Sequence, residues 1–360
     1  MRVVVVGAGL GGLCVANALR RTGADIEVLE AHDGITDAAQ GYRININATG
    51  HDALHACLAA KQFEDYERSL HRQDDPATYL FSPALQLLSR DEMPPVPGAV
   101  DRGALRRVLA EGVADRITFG REVTSLADVG DADLVVAADG IGSALRRELL
   151  PHAGPEPLGW TAIFGRSPLT AVNRPWMPPV VMRSRFCGVT DQAATLALCA
   201  YDPPVSTTIA PYVMWVLMGR DEELPRHGTS RADLVHFAQD RTADWDARAT
   251  SVLRDSIIAD TFMTPLRAMP AIPDIPTATG IPVAFLGDTI HAMSPAGGEG
   301  ANTALGDAAR LMSHVDRTGD LTEAVAAYHR DMRITAGAAL ARSAGFAVEA
   351  HHVAGKASHV

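Results

Sequence analysis

Four valines in succession, Val3–Val6, make a short, β-branched run that is apolar on both faces, the pattern of a strand buried in a parallel sheet. Residues 11–22, GGLCVANALRRT, then set Leu13, Ala16, Leu19 and Arg20 at helical spacing, with Gly23 placed to close the helix. IEVLE (26–30) returns to the strand pattern. Strand, tight turn, helix and strand within about thirty residues predict a βαβ unit with a right-handed crossover.

From Ala31 to Thr49 the chain is polar and glycine-punctuated, and DALHACLAA then begins a helix. QDDPATYL and SPALQLLSR alternate as strands of an excursion. DRGALRRVLAEGVAD predicts a helix of about three turns with Asp101 as N-cap. ITFGREVTSLAD reads as a strand and hairpin, and DLVVAADG as a further buried parallel strand. Between about Pro155 and Gly219 the character changes to prolines, tryptophans and segments such as TAIFGR, VVMRSRFCGV and YVMWVLMGR. These predict an antiparallel sheet laid down as a separate layer. RADLVHFAQDRTADWDARATSVLRD is helical, PVAFLGD (282–288) is another buried strand, and GANTALGDAARLM and LTEAVAAYHRDMRITAGAALARSA are helices. Nucleotide-type segments thus bracket a sheet-rich insertion, with no internal repeat or low-complexity tract.

Bulk composition narrows the function classes. With 360 residues, 47% of them hydrophobic and 21% charged, the chain is an ordinary globular protein of one large domain or two joined ones. A net charge of −11, with no block of Lys/Arg to offset it, argues against nucleic acid or an anionic membrane surface as principal partner. PYVMWVLMG, the longest apolar run after the first helix, is about half of the roughly 20 residues that span a bilayer. The N-terminus mimics a signal peptide, but its charge is a single Arg2 and glycines break its middle, so it is expected to be retained. Cys14, Cys57, Cys187 and Cys199 lie far apart and form no C-x-x-C, so neither a disulfide framework nor a zinc site is expected. They suit a reducing compartment and a cytoplasmic protein.

Three motifs carry the chemistry. In GAGLGG, Gly7 permits a tight turn, Gly9 lets a pyrophosphate approach the backbone, and Gly12 lets the helix pack on the strand. The free N–H groups of that helix then face the phosphates. Glu30, ending the next strand, would accept hydrogen bonds from a ribose diol; a glycine turn followed by a solvated acid is the bland alternative. In DLVVAADGIGSALR (133–146) a buried strand ends at Asp139–Gly140, with Ser143 and Arg146 opening a helix, a pattern more particular than a capped turn requires. In FLGDTIHAMSPAGGEGANTAL (285–305), Asp288 ends a strand, Pro295 stiffens a loop, and Gly297, Gly298 and Gly300 lead to a helix starting near Ala301. Two glycine-fed helix N-termini, far apart in sequence, suit a long cofactor with its diphosphate at one end and its reactive ring at the other. Flavin adenine dinucleotide (FAD) has that shape.

In these three motifs and their order, the sequence resembles the class A flavoprotein monooxygenases, the group of para-hydroxybenzoate hydroxylase and the tetracycline-inactivating monooxygenases, over roughly residues 1–310. The resemblance implies an α/β fold. A Rossmann-like FAD-binding domain (1–75, 98–155 and 280–320) would carry an inserted, mostly antiparallel β-sheet substrate domain (76–97 and 156–279) and a C-terminal helix (321–360). It implies cofactor contacts at Gly7, Gly9, Leu10, Gly12, Glu30, Arg102, Val123, Asp139, Asp288, Pro295, Gly298, Gly300, Ala301 and Asn302. Arg43, in GYRINI, falls in the stretch that passes beside the flavin. Three departures stand out: Thr289 and Ile290 where the family has small residues, Glu299 where it has a neutral or amide residue, and Ala31–His32 where an arginine commonly follows the acid.

The activity so implied is oxygenation of an aromatic, polyketide or polycyclic molecule in secondary or antibiotic metabolism, using NADPH or NADH and O2 through a C4a-hydroperoxyflavin. One dinucleotide fingerprint means that the nicotinamide binds transiently. His291 and Arg43 are the candidate catalytic residues, His291 as a base for phenol deprotonation or else as a structural histidine. No metal is needed. Trp160, Phe164, Met182, Phe186, Met214 and Trp215 either line an apolar substrate chamber or form ordinary sheet core, and Arg183 and Arg185 either meet an acidic substrate or are exposed strand arginines. A halogenase, reductase or flavin-assisted cyclase on the same fold is the alternative, although the only lysines are Lys61 and Lys356. A non-enzymatic relative of the fold without flavin is the third reading. A monomer is favoured.

Overall fold

The computed structural model describes residues 1–35, 41–191, 193–204, 209–276 and 280–356. β1 (Arg2–Val6), α1 (Leu10–Arg21) and β2 (Asp25–Leu29) form the expected βαβ unit, with β1 and β2 parallel. β3 (Arg43–Ile46), α2 (Ala48–Cys57) and α3 (Ala60–Arg68) follow, then the hairpin of β4 (Asp75–Phe81) and β5 (Leu87–Asp91). β6 (Gly98–Asp101) runs into α4 (Arg102–Glu111), with Asp101 capping it by accepting the Ala104 amide at 2.8 Å. β7 (Ile117–Thr118), β8 (Leu134–Ala137) and α5 (Ala144–Leu149) complete the first half.

β9 (Glu156–Pro168), α6 (Pro179–Arg183), β10 (Ser184–Thr190), β11 (Ala194–Tyr201) and β12 (Tyr212–Arg220) build the inserted sheet. α7 (Arg231–Arg241), α8 (Ala247–Thr250) and β13 (Phe262–Ala268) close it. The chain returns through β14 (Val283–Phe285), α9 (Asp288–His291), α10 (Gly300–Val315) and α11 (Leu321–Lys356).

Two sheets result. The first has the order β14-β8-β1-β2-β7, all parallel, and its central residues Val3–Val5, Leu134–Ala137 and Ala284 are wholly buried under helices on both faces. The second has the order β13-β9-β12-β11-β10-β4-β5, antiparallel except where β4 runs beside β10. One of its faces carries Leu196, Leu198, Val213 and Trp215 into a core with Leu234 and Ala238 of α7. Its other face carries Phe164, Phe186, Met214 and Met218. The two-stranded β3–β6 ribbon lies outside both sheets. This is the fold class that the resemblance implied.

Local expectations fail where a side chain outbids the ladder. ITFGREVTSLAD makes no hairpin: only β7 pairs, and the Asp128 carboxylate then gathers the Thr124 and Ser125 amides at 2.8 and 2.9 Å. The first half of VVMRSRFCGV is the short helix α6, whose φ is set by Pro179 at its first position. The long helix expected after Arg231 breaks between α7 and α8, where Asp246 takes the Arg248 amide. The expected strands of the excursion do form, β4 and β5 pairing at the edge of the large sheet beside β10.

Candidate functional site

The first glycine turn is shaped by close approach. Gly7 sits at φ +101°, and a Cβ there would lie 2.3 Å from the Ala138 carbonyl beside β8. A Cβ on Gly12 would lie 2.1 Å from the Gly7 carbonyl, so α1 rests directly on the turn. Gly9, the N-cap of α1, has no atom within 4 Å of a Cβ position and no side chain capping it. No side chain thus caps the first N–H groups of α1, while Leu10 beside them is buried in the core.

Glu30 leaves the end of β2 almost fully buried. Its Oε2 accepts the Ala8 amide at 2.8 Å and Arg106 Nη2 at 3.0 Å; its Oε1 accepts the His32 amide at 3.1 Å and faces His32 Nδ1 at 2.7 Å. Burial pushes its pKa up, but the His32 and Ala8 hydrogen bonds and the Arg106 charge outweigh it, and the net shift is downward. Sequence reasoning missed Arg106. Its only signal was helical phase, four residues after Arg102 on the same face of α4.

The second cradle follows β14 and leads into α10, which packs directly against α1 at Gly11 and Ala304. Gly287 turns at φ +65° out of β14, and Asp288 opens α9 rather than ending the strand. α10 begins at Gly300 without a side-chain cap, after a loop in which Gly298 sits at φ +62°. Asn302, 1% exposed, accepts the Asn47 amide at 2.9 Å and donates to the Asn45 carbonyl at 2.9 Å and the Gly298 carbonyl at 3.1 Å. It thereby fastens the loop to the end of β3. The departure at Glu299 is resolved by Arg342 of α11, whose Nε lies 3.3 Å from its carboxylate.

Between this cradle and the large sheet lies a cavity of about 1530 Å³. Asp288, Pro295, Gly298, Gly300 and Ala301 form one wall, Arg43, Asn45 and Arg102 another, and Trp160, Phe164, Arg185, Phe186 and Met214 the sheet side. Arg43 is buried, and its Nε and Nη2 have no hydrogen-bond partner, as is true of Asn45 Oδ1. Burial pulls the Arg43 pKa down, against the effects of Cys199 and Tyr212. Arg102 is likewise lowered by burial, with Asp288 acting in the opposite direction. A buried cation with two unused donors at a cavity wall is built to meet an acceptor from outside the chain.

Several expected residues lie elsewhere. His291 is 0% exposed, does not line the cavity, and holds Asp307 Oδ2 at 2.5 Å through Nε2. The expected role as a base is corrected: the α9 turn points it into the packed interior between α9 and α10. Asp139 takes the Ala144 amide at 2.9 Å and Thr289 Oγ1 at 3.3 Å, so its carboxylate caps α5 and braces the second motif against the third. Thr289, flagged as a departure, is that brace, and its carbonyl accepts from buried Arg146 at 2.7 Å. Val123 packs in the core of the first sheet. Trp215 and Met182 face the second core, away from the cavity, and exposed Arg183 pairs with Asp74 at 2.9 Å. No cluster of His, Cys, Asp or Glu among the described residues could hold a metal.

The comparisons agree with this geometry. Residues 5–71 match the family model of an NAD(P)-binding Rossmann-like domain, and residues 278–340 that of an FAD binding domain. The chain is 27% identical over 380 residues to the dual O-methyltransferase/FAD-dependent monooxygenase elcB of Phaeosphaeria nodorum, covering 86% of this chain and 39% of that protein. It thus spans about two-fifths of the length of that relative. The FAD-dependent monooxygenase adaC of Aspergillus niger is 26% identical over 392 residues, covering 91% of this chain and 88% of that protein. An FAD containing monooxygenase from Photorhabdus luminescens has the same fold, with a TM-score of 0.81 at 26% identity over 95% of this chain and 96% of that one.

Proposed function

We propose that the chain is an FAD-dependent monooxygenase that oxygenates an aromatic, polyketide or polycyclic small molecule with NAD(P)H and O2, as its similarity to FAD-dependent monooxygenases supports. The observation that carries the reading is the pair of uncapped, glycine-led helix N-termini, with two unused Arg43 guanidinium nitrogens at the cavity beside the second. These residues fit FAD. Gly9 leaves an open cradle at α1 for the diphosphate, Glu30 offers a carboxylate near it, and Arg43 and Asn45 offer unused polar atoms for the ring system.

When bound, the flavin supplies reduction by the nicotinamide, activation of oxygen and delivery of one oxygen atom to the substrate. The chain's own groups bind, orient and shield. The α10 N-terminus directs backbone N–H groups and a partial positive charge at the cavity wall, where they favour negative charge on a neighbouring ring. Arg43 adds a full positive charge in a site where burial makes it count. Arg102 and Asp288 stand where α4 and α9 begin, placed for the phosphate and ribityl portions. Phe164, Phe186, Met214 and Met218 form a flat apolar floor that holds an aromatic face and excludes water. In this reading residues 1–75, 98–155 and 280–320 hold the cofactor, residues 76–97 and 156–279 the substrate, and the helix from 321 braces both.

No helix among the described residues is long and apolar enough to cross a membrane. The test is purification with bound flavin, followed by NADPH and NADH oxidation across phenolic and polyketide compounds with product masses. Substrate-dependent gain of one oxygen atom supports the reading. Colourless protein that takes up no added FAD, or peroxide as the only product with every compound, overturns it.

A further inference from the structure

The family arginine that commonly follows the ribose acid is absent here, since Ala31 and His32 come after Glu30. The fold brings another one to the same carboxylate. Arg106, 76 positions along the chain, reaches Glu30 from α4, and one guanidinium makes three bonds there. Its Nε–H donates to the Ala8 carbonyl at 2.7 Å, its Nη1–H to the Ile35 carbonyl at 3.0 Å, and its Nη2–H to Glu30 Oε2 at 3.0 Å. The acceptors come from the glycine turn after β1, the residue after β2, and the loop beyond it. One guanidinium thus ties all three segments together.

The pair is drawn well out of water, with side-chain exposures of 12% for Arg106 and 7% for Glu30. A buried ion pair of this kind is weak evidence for stability, because desolvation offsets much of the attraction. Its geometry points instead to orientation. Oε2 is used by the protein itself, through Ala8 and Arg106. Oε1 is held by the His32 amide and by a His32 ring that is 54% exposed, the one partner able to swing aside for a hydroxyl. A planar fork fixes the plane of the carboxylate in a way that a point charge does not.

We infer that Arg106 is the positioning residue for Glu30: it locks Oε2 and presents Oε1 to the adenosine ribose, so that α4 sets the grip on the AMP half of FAD. This rests on the FAD reading given above. The test is titration of the full-length, flavin-stripped chain with FAD and, separately, with FMN, which has the ring and one phosphate but no AMP half. Binding is read by flavin fluorescence, with the melting temperature of each apoprotein recorded alongside.

For Arg106→Ala the expected result is FAD binding weaker by about tenfold, the scale of one hydrogen bond to a charged group, with FMN binding within about twofold of the parent chain. Arg106→Lys recovers only part of the loss, because it restores charge without the fork. Equal losses for FAD and FMN, or no loss for FAD, overturn the inference. Should Arg106→Ala fail to fold, Arg106→Lys and Glu30→Gln decide it by the same FAD-selective loss or its absence. A parent chain that binds neither flavin overturns the family reading instead, and with it this one.

Discussion

Asn302 Oδ1 accepts the backbone amide of Asn47 at 2.9 Å, joining the first turn of α10 to the N-cap residue of α2 across 255 positions of chain. The same side chain donates to the Asn45 and Gly298 carbonyls, so one amide group holds the glycine loop against the strand that carries Arg43. Asn302→Ala would leave the Asn47 amide and the Asn45 and Gly298 carbonyls, all in part-buried hydrogen bonds, without this partner at once. We expect a loss of about 2–4 kcal/mol in urea unfolding of the apoprotein, since each stranded group costs about 1–3 kcal/mol and partial relaxation recovers some of it. A variant as stable as the parent would show that the loop holds itself.

The second and third glycines of the first motif, Gly9 and Gly12, should separate binding from stability. Gly12→Ala forces a Cβ to within 2.1 Å of the Gly7 carbonyl and 3.2 Å of Ala138 Cβ, so α1 must lift off the sheet. We expect it to destabilise the apoprotein by about 2–3 kcal/mol or more. Gly9→Ala meets nothing within 4 Å and should leave apoprotein stability unchanged to within about 0.5 kcal/mol while weakening FAD binding. Thermal melts with and without FAD distinguish the pair, and equal melting temperatures for the two apoproteins would refute the packing argument.

Arg43 carries a charge that the apoprotein does not use. Arg43→Met removes a buried guanidinium with two unpaired nitrogens and keeps most of its volume. The apoprotein should gain about 1–3 kcal/mol, while flavin affinity and turnover fall. Chemical denaturation and flavin titration on one preparation check both halves. A destabilised apoprotein would mean that the Nη1 bond to the Arg185 carbonyl outweighs the cost of burying the charge.

Two buried histidines should respond to acid with opposite signs. His329 accepts the Phe285 amide at 3.2 Å through Nε2, and burial holds its pKa down at about 4. Its unfolded form binds a proton below about pH 6.5 and the native form does not, so stability falls as pH drops from about 6.5 to 4, by about 3 kcal/mol. His291 is the reverse. Burial opposes its charge, but Asp307 raises its pKa above the ordinary value, so its contribution is whole below about pH 6.5 and fades as pH rises through the native pKa. Urea unfolding of His329→Gln and His291→Gln at pH 5 and pH 8.5 tests this. His329→Gln should lose less stability than the parent on acidification, and His291→Gln should be most harmful at pH 5.

Local pattern determined much of this protein. Val3–Val6, Leu134–Ala137 and Val283–Phe285 read as buried parallel strands because a strand covered on both faces leaves an unbroken apolar run, and all three lie in one sheet. The glycines of both cradles were equally legible, since turns at positive φ and close backbone contacts leave few other choices at Gly7, Gly12, Gly287 and Gly298. Tertiary structure alone decided which side chains face the cofactor cavity. His291 and Asp139 sit inside conspicuous motifs yet spend their polar atoms on Asp307, Ala144 and Thr289. Arg106 lies in no motif, yet it supplies the positive charge beside Glu30. Strand and helix periods follow from neighbours a few residues away, and so can be read along the chain. Partners such as Glu30–Arg106 and Asn302–Asn47 are set by how elements from distant parts of the chain cross, which no local spacing encodes.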